Sequence, residues 1–202
     1  MILDKANVQK NSDKKEIELI LKLFNSNKIN EAEKKIKEQF KKNRKSPILF
    51  NILGAILVNK NNIDQAIVNY KKSIELDPNY AQAYNNLGIA FHKIHKTDEA
   101  IIHYKRAIEL NKNFAEFFYN LGNALRDQNK FTKSIEYFQK AIEIKSTYAE
   151  AFNSLALSQE DLGKKKEAVE NYKKAIKIKP DFAEAYNNLG KLYIDMLEFN
   201  ES

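Results

Sequence analysis

The chain repeats itself every 34 residues, and few sequence features constrain a fold more. The pairs Leu53-Gly54, Leu87-Gly88 and Leu121-Gly122 lie one period apart, and Leu155-Ala156 and Leu189-Gly190 continue the series. Ala66, Ala100, Ser134 and Ala168 recur at the same interval, as do Tyr70, Tyr104, Phe138 and Tyr172, and Ser73, Ala107, Ala141 and Ala175. Self-similarity at a fixed period of this length predicts stacked supersecondary units, each burying its apolar face only against the next.

One unit, residues 81–114, shows what is stacked. At 100° per residue, Ala83, Tyr84, Leu87, Gly88, Ala90, Phe91 and Ile94 share one arc. Gln82, Asn85, Asn86, Ile89, His92 and Lys93 share the opposite one, which predicts an amphipathic helix over 82–94. A second pattern, with Ala100, Ile101, Tyr104, Ala107 and Ile108 inward, predicts another helix that Asp98 caps. The column between them holds Asn27, Asn61, His95, Asn129 and Gly163. Asn and Gly enter the left-handed backbone region at least cost, so a tight turn is expected there, with His95 as a turn residue. Gly88 and Ala100 fall where the two helices would cross. Ser46-Pro47 reads as an N-cap and first-turn pair for the helix that opens the regular array.

The pattern Tyr84-x-x-Leu87-Gly88-x-x-Phe91, followed by Ala100, Tyr104 and Ala107, with Pro78 and Pro180 between units, resembles the tetratricopeptide repeat. The resemblance covers four full units, 47–80, 81–114, 115–148 and 149–182. It extends to a degenerate unit at 13–46, after an N-terminal segment 1–12, and to a partial unit at 183–202. It implies an all-α, right-handed superhelical solenoid whose first helices line an inner, concave groove. The N-terminal unit is expected to cap the stack, its second helix near residues 31–42 presenting Lys34, Lys35, Lys37, Lys41 and Lys42 to water. At the other end, residues 195–202 are expected to form a turn and the start of an uncompleted helix.

Chemistry of a catalytic kind is not expected. The formal charge of +7 invites a nucleic-acid reading, yet residues 1–46 alone carry 13 Lys and Arg against 7 Asp and Glu. Lysines number 31 and arginines 3, against the arginine preference of bidentate base and phosphate readers. We therefore expect a solvated basic face and no nucleic-acid partner. No apolar run approaches the roughly 18 residues of a membrane span, and Met1-Ile2-Leu3-Asp4-Lys5 does not read as a signal peptide. The chain has no cysteine, so disulfides and thiolate metal sites are out of reach, and a cytoplasmic location is expected. Of the histidines, His92 and His95 could face each other along a helix, but no third ligand is near in sequence, and no metal or cofactor is expected. None of the five glycines belongs to a phosphate-binding loop. The periodic aromatics, among them Tyr84, Phe118, Phe152 and Tyr186, read as packing.

The polar arc carries the binding expectation. One column reads Ile52, Asn86, Asn120, Ser154, Asn188, and its neighbour Asn51, Asn85, Tyr119, Asn153, Asn187. A carboxamide offers two donors and an acceptor, so a ladder of them can satisfy the backbone of an extended peptide whatever its sequence. With Asn123, Arg126 and His92, the members of these columns from Asn85 onward form the expected peptide-binding face of a protein-interaction scaffold. A purely structural role for the same asparagines is equally open at this point. The ladder resembles that of the repeat arms of O-linked N-acetylglucosamine transferases and SPINDLY-like proteins, which implies the alternative of a substrate-recruiting arm for a glycosyltransferase domain outside this chain. A carboxylate clamp for chaperone tails is not expected, since Glu116, Glu150 and Glu184 would repel a carboxylate. The apolar flank of residues 186–196 lacks its usual cover, so self-association through the last helix is a further expectation.

Overall fold

The computed structural model describes residues 2–42 and 46–198, and all its regular structure there is helical. Eleven helices follow one another: α1 (Ile2–Asn25), α2 (Ile29–Lys41), α3 (Pro47–Asn59), α4 (Ile63–Leu76), α5 (Ala81–Lys93), α6 (Thr97–Leu110), α7 (Ala115–Asp127), α8 (Phe131–Ile144), α9 (Ala149–Asp161), α10 (Lys165–Ile178) and α11 (Ala183–Glu198). This is the expected all-α array of helix-turn-helix repeats. α1 passes without a break through the expected segment border between residues 12 and 13.

The turn inside each repeat is built as its column predicts. Asn27, Asn61, His95 and Asn129 have φ of 58° to 60°, and Gly163 has φ of 73°. At Asn27, Asn61, Asn129 and Gly163 the helix end is sealed by the same pair of backbone bonds. Asn129 N donates to Arg126 O at 2.8 Å and Lys130 N to Leu125 O at 2.9 Å, and Gly163 and Lys164 repeat the arrangement at 2.8 Å each. A left-handed residue with this bond pair is the standard way to satisfy the last carbonyls of a helix. At the opening of the regular array Ser46 Oγ accepts from Leu49 N at 3.2 Å, with Pro47 in the first turn.

Two local expectations need correction. Asp98 is not the cap of α6. The helix starts at Thr97, Lys96 holds the cap position without a side-chain bond, and the Asp98 carboxylate accepts from Gln128 Nε2 at 2.7 Å instead. Nor is there a turn at residue 195, because α11 continues to Glu198. The reason is local: Leu197 stands in the column that elsewhere holds Asn, His or Gly, and a leucine does not take up the left-handed conformation cheaply. The remainder of that expectation, residues 199–202, lies outside the described residues.

The chain forms two compact units, Met1–Ile94 and His95–Ser202. In the first, α3 packs on α4, α4 on α5, and α1, α3 and α5 touch in succession. Ile20, Ala32, Ile36, Leu49, Ile52 and Ile56 make its N-terminal core. The lysines of α2 lie on the far side from this core, Lys34, Lys37 and Lys41 being exposed, as a capping unit requires. In the second unit α7 packs on α8, α8 on α9, α9 on α10 and α10 on α11, while α9 also meets both α7 and α11. Within each unit the first helices of successive repeats thus touch one another, α1, α3 and α5 in the first and α7, α9 and α11 in the second.

The glycines explain how closely the layers approach. A Cβ on Gly54 would come within 2.5 Å of the Tyr70 ring, and one on Gly122 within 2.6 Å of Phe138. Both rings are buried, so each glycine is the notch that receives the aromatic residue of its own repeat's second helix. At Gly190 an added Cβ would meet nothing within 4 Å.

Candidate interaction face

The eleven residues expected to bind a peptide divide between the units. Asn85, Asn86 and His92 lie on α5 of the first, whereas Tyr119, Asn120, Asn123, Arg126, Asn153, Ser154, Asn187 and Asn188 lie on α7, α9 and α11 of the second.

Several of these are not displayed as the helical wheel suggests. Asn85 has no exposed surface and Asn153 only 2%, with Ser154 at 7%. The wheel places them on a polar arc, but that arc's edge is where the neighbouring repeat's first helix packs. What the column does there is visible in the bonds. Asn86 Nδ2 donates to Asn51 Oδ1 at 2.9 Å, and Asn188 Nδ2 donates to Asn153 Oδ1 at 3.1 Å. Each bond joins two successive first helices. The network extends outward, with Gln82 Nε2 donating to Asn86 Oδ1 at 3.2 Å and Asn51 Nδ2 to Tyr80 Oη at 3.4 Å. In the second unit Asn153 Nδ2 donates to Glu184 Oε1 at 3.1 Å.

At the α7–α9 junction the two columns hold Tyr119 and Ser154, and the bridge is replaced by aromatic packing. The half-buried Tyr119 ring lies 5.0 Å from Tyr148 and 5.9 Å from Phe138, centroid to centroid. Burial pushes the Tyr148 hydroxyl well above the ordinary phenol range, and the nearby Tyr119, Glu116 and Glu150 push it the same way. Further along α7, Arg126 Nε meets Asp161 Oδ2 at 3.1 Å. Asn120, Asn123 and Arg126 are half-buried and Asn187 is exposed, so these four reach the surface of the first helices.

Polar residues that the sequence reading passed over link α8, α9 and α10 internally. Asn171 Nδ2 donates to the buried Gln159 Oε1 at 2.8 Å, and Ser134 Oγ lies 2.9 Å from Ser158 Oγ. Tyr172 Oη donates to Glu160 Oε2 at 2.9 Å, and burial, with that carboxylate behind it, raises the phenol. Among the described residues no three His, Asp or Glu side chains converge as a metal-holding group. No described helix is long and apolar enough to cross a membrane.

First helices that pack side by side, each backed by a second helix, define a helical-repeat scaffold of the kind that binds proteins. The chain belongs to the tetratricopeptide repeat family. The TPR repeat model matches residues 54–94 and 161–196, and the tetratricopeptide repeat model matches 81–114 and 115–148, two of the units read from the sequence. Among solved structures, that of MamA is 33% identical, with 71% of this chain and 84% of that one covered at a TM-score of 0.66. YrrB, a TPR protein with an unusual peptide-binding site, is 20% identical over 90% of this chain and 96% of that one, with a TM-score of 0.68. TTC0263, a thermophilic TPR protein of Thermus thermophilus, is 18% identical over 90% and 98%, with a TM-score of 0.73. The last two likenesses concern the fold alone. No curated protein matches the sequence.

Proposed function

We propose that this chain is a cytoplasmic protein-interaction scaffold that takes an extended peptide or a partner's extended segment on the first-helix layer of its second unit. One observation carries the reading: α7, α9 and α11 form a layer whose surface offers Asn120, Asn123, Arg126 and Asn187 beside Tyr119. Carboxamides there can pair with the donors and acceptors of an extended backbone. Asn153 contributes from beneath by holding α11, the buried Asn85 and Ser154 lie below the ligand surface, and Asn86 and His92 present the corresponding surface on α5. The peptide-binding site named for YrrB supports the same use of the fold.

Peptides selected by display on the purified chain test this reading. Bound peptides should slow amide exchange in α7, α9 and α11, and Asn123→Ala with Arg126→Ala should abolish capture with the helical signal intact. Protection confined to α8 and α10 would refute it.

A recruiting arm for a glycosyltransferase would use the same face, and its favouring observation is the surface carboxamides on α7. A catalytic domain in the reading frame beyond residue 202 would decide for it. Self-association through α11 rests on the exposure of Tyr186 (50%), Ile194 (58%) and Leu197 (66%), and sedimentation of a Leu197→Glu variant against the parent chain tests it.

A further inference from the structure

We propose that the α7–α9 part of this face holds a cation subsite, formed by Glu116 and Glu150 about the Tyr119 and Tyr148 rings, which takes a lysine or arginine side chain of an extended basic segment. The inference rests on the docking reading above and states the chemistry of its ligand.

Charge is the first argument. On a chain of net charge +7, helices α7, α9 and α11 carry eight Asp and Glu against Arg126 and Lys191 alone. Helices α8 and α10 carry seven lysines against four glutamates, so the first and second helices of the second unit differ in sign. The acids also recur in register. Glu116, Glu150 and Glu184 occupy the first turns of the three first helices, where α3 and α5 have Ile48 and Gln82. One of the two cations in the layer, Arg126, is already engaged by Asp161.

The aromatic pair is the second argument. Tyr119 departs from the asparagine that fills its column in the four other units from 47 onward, and its ring stands 5.0 Å from Tyr148. Glu116, Lys145 and Tyr148 line one surface cavity, and Glu150 stands in the first turn of α9, which Tyr148 caps. Ring faces flanked by carboxylates are suited to an alkylammonium or guanidinium group. The chain itself supplies an example, since Lys145 Nζ lies 4.7 Å from the centre of the Tyr148 ring. Glu150 is held at 3.3 Å by Lys179, whose ammonium also lies 4.8 Å from the Phe182 ring. An incoming cation therefore displaces the Lys179 ammonium, which has a second resting place on Phe182, and competes with Lys145 for the Tyr148 ring.

Fluorescence anisotropy with three labelled peptides, in which alanine alternates with lysine, glutamine or glutamate, tests the subsite. The lysine peptide should bind about tenfold more tightly than the glutamine peptide at low salt, a preference that salt erodes. The preference should collapse in Glu116→Gln/Glu150→Gln and in Tyr119→Leu, and survive in Tyr119→Phe and Lys133→Gln. Equal binding of the lysine and glutamine peptides, with exchange protection on α7 and α9, would overturn the subsite and leave the docking reading standing. A lysine preference unchanged by the double substitution would also overturn it. Failure of all three peptides to protect α7, α9 or α11 would count against both. A salt-sensitive dimer of the chain alone, abolished by the double substitution, would assign the face to the basic surface of a second copy and overturn the peptide.

Discussion

Asn188 Nδ2 lies 3.1 Å from Asn153 Oδ1, and Asn86 stands in the same relation to Asn51 at 2.9 Å. The residues in each pair are 35 positions apart, one more than the repeat, so each bond links the first helices of adjacent units. Because Asn51 and Asn153 are only 6% and 2% exposed, losing the donor leaves a buried acceptor without its bond. Asn86→Ala and Asn188→Ala should each lower stability by about 1–2 kcal/mol. The exposed Asn187→Ala should change it by less than about 0.5 kcal/mol. Urea denaturation distinguishes these outcomes, and an unchanged midpoint for Asn86→Ala would show that the bridge carries no structural weight.

The glycine notches give a prediction with a change of sign. Gly54→Ala and Gly122→Ala push a methyl group into buried rings and should destabilise by about 1–3 kcal/mol. Gly190→Ala meets empty space in mid-helix and should stabilise by about 0.5–1 kcal/mol through helix propensity. Thermal denaturation of the three variants is sufficient to compare them.

The repeat turns predict a similar asymmetry. Gly163→Ala places a Cβ at φ of 73° and should cost about 1–2 kcal/mol. His95→Gly relieves a non-glycine residue at φ of 60° and should be neutral or stabilising. A loss of stability in His95→Gly as large as that in Gly163→Ala would mean that the imidazole has a role beyond the turn.

Glu33 sets a pH dependence. Hydrogen bonds from Lys37 and then Lys60 hold its carboxyl below the usual glutamate range, with Lys60 reaching it from the neighbouring repeat. A folded-state pKa below the unfolded one adds stability that is fully present above the unfolded value and disappears as pH falls through the folded value. Parent chain and Glu33→Gln should therefore differ in urea midpoint near neutrality and converge in acid. A difference that persisted at low pH would assign the effect to packing.

Features set by a few adjacent residues were legible in the sequence. The left-handed column from Asn27 to Gly163 and the Ser46-Pro47 start are examples, because their causes lie within one turn of chain. Features that depend on a neighbouring repeat were less accessible. A single-helix wheel counts Asn85 and Asn153 as solvent-facing because it contains no second helix to bury them. The missed internal links did leave a trace in the columns. Ser134 replaces an alanine of the Ala66, Ala100, Ala168 column, and Ser158 replaces an apolar residue of the Ile56, Ala90, Ala124, Leu192 column. Two hydroxyls that enter apolar columns and meet at 2.9 Å are a compensating pair, visible only when departures are compared between columns. Gln159, in the column of Leu57, Phe91 and Leu125, is such a departure too, but its partner Asn171 belongs to the polar column of Asn69, His103 and Tyr137 and gives no signal of its own. The candidate face was the least legible part, since which carboxamides bridge helices and which remain at the surface follows from stacking.

An array of near-identical parts can assemble with a part left out, because each helix pair offers its neighbour almost the same apolar flank. The bridges between first helices work against that error. Were α11 to stack on α7 with the intervening pair looped away, Asn188 would face Tyr119 in place of Asn153, and a carboxamide would have to lie against a phenol ring. The unequal α7–α9 junction therefore marks its own place in the array, because α11 cannot take the seat of α9 on α7 without that mismatch.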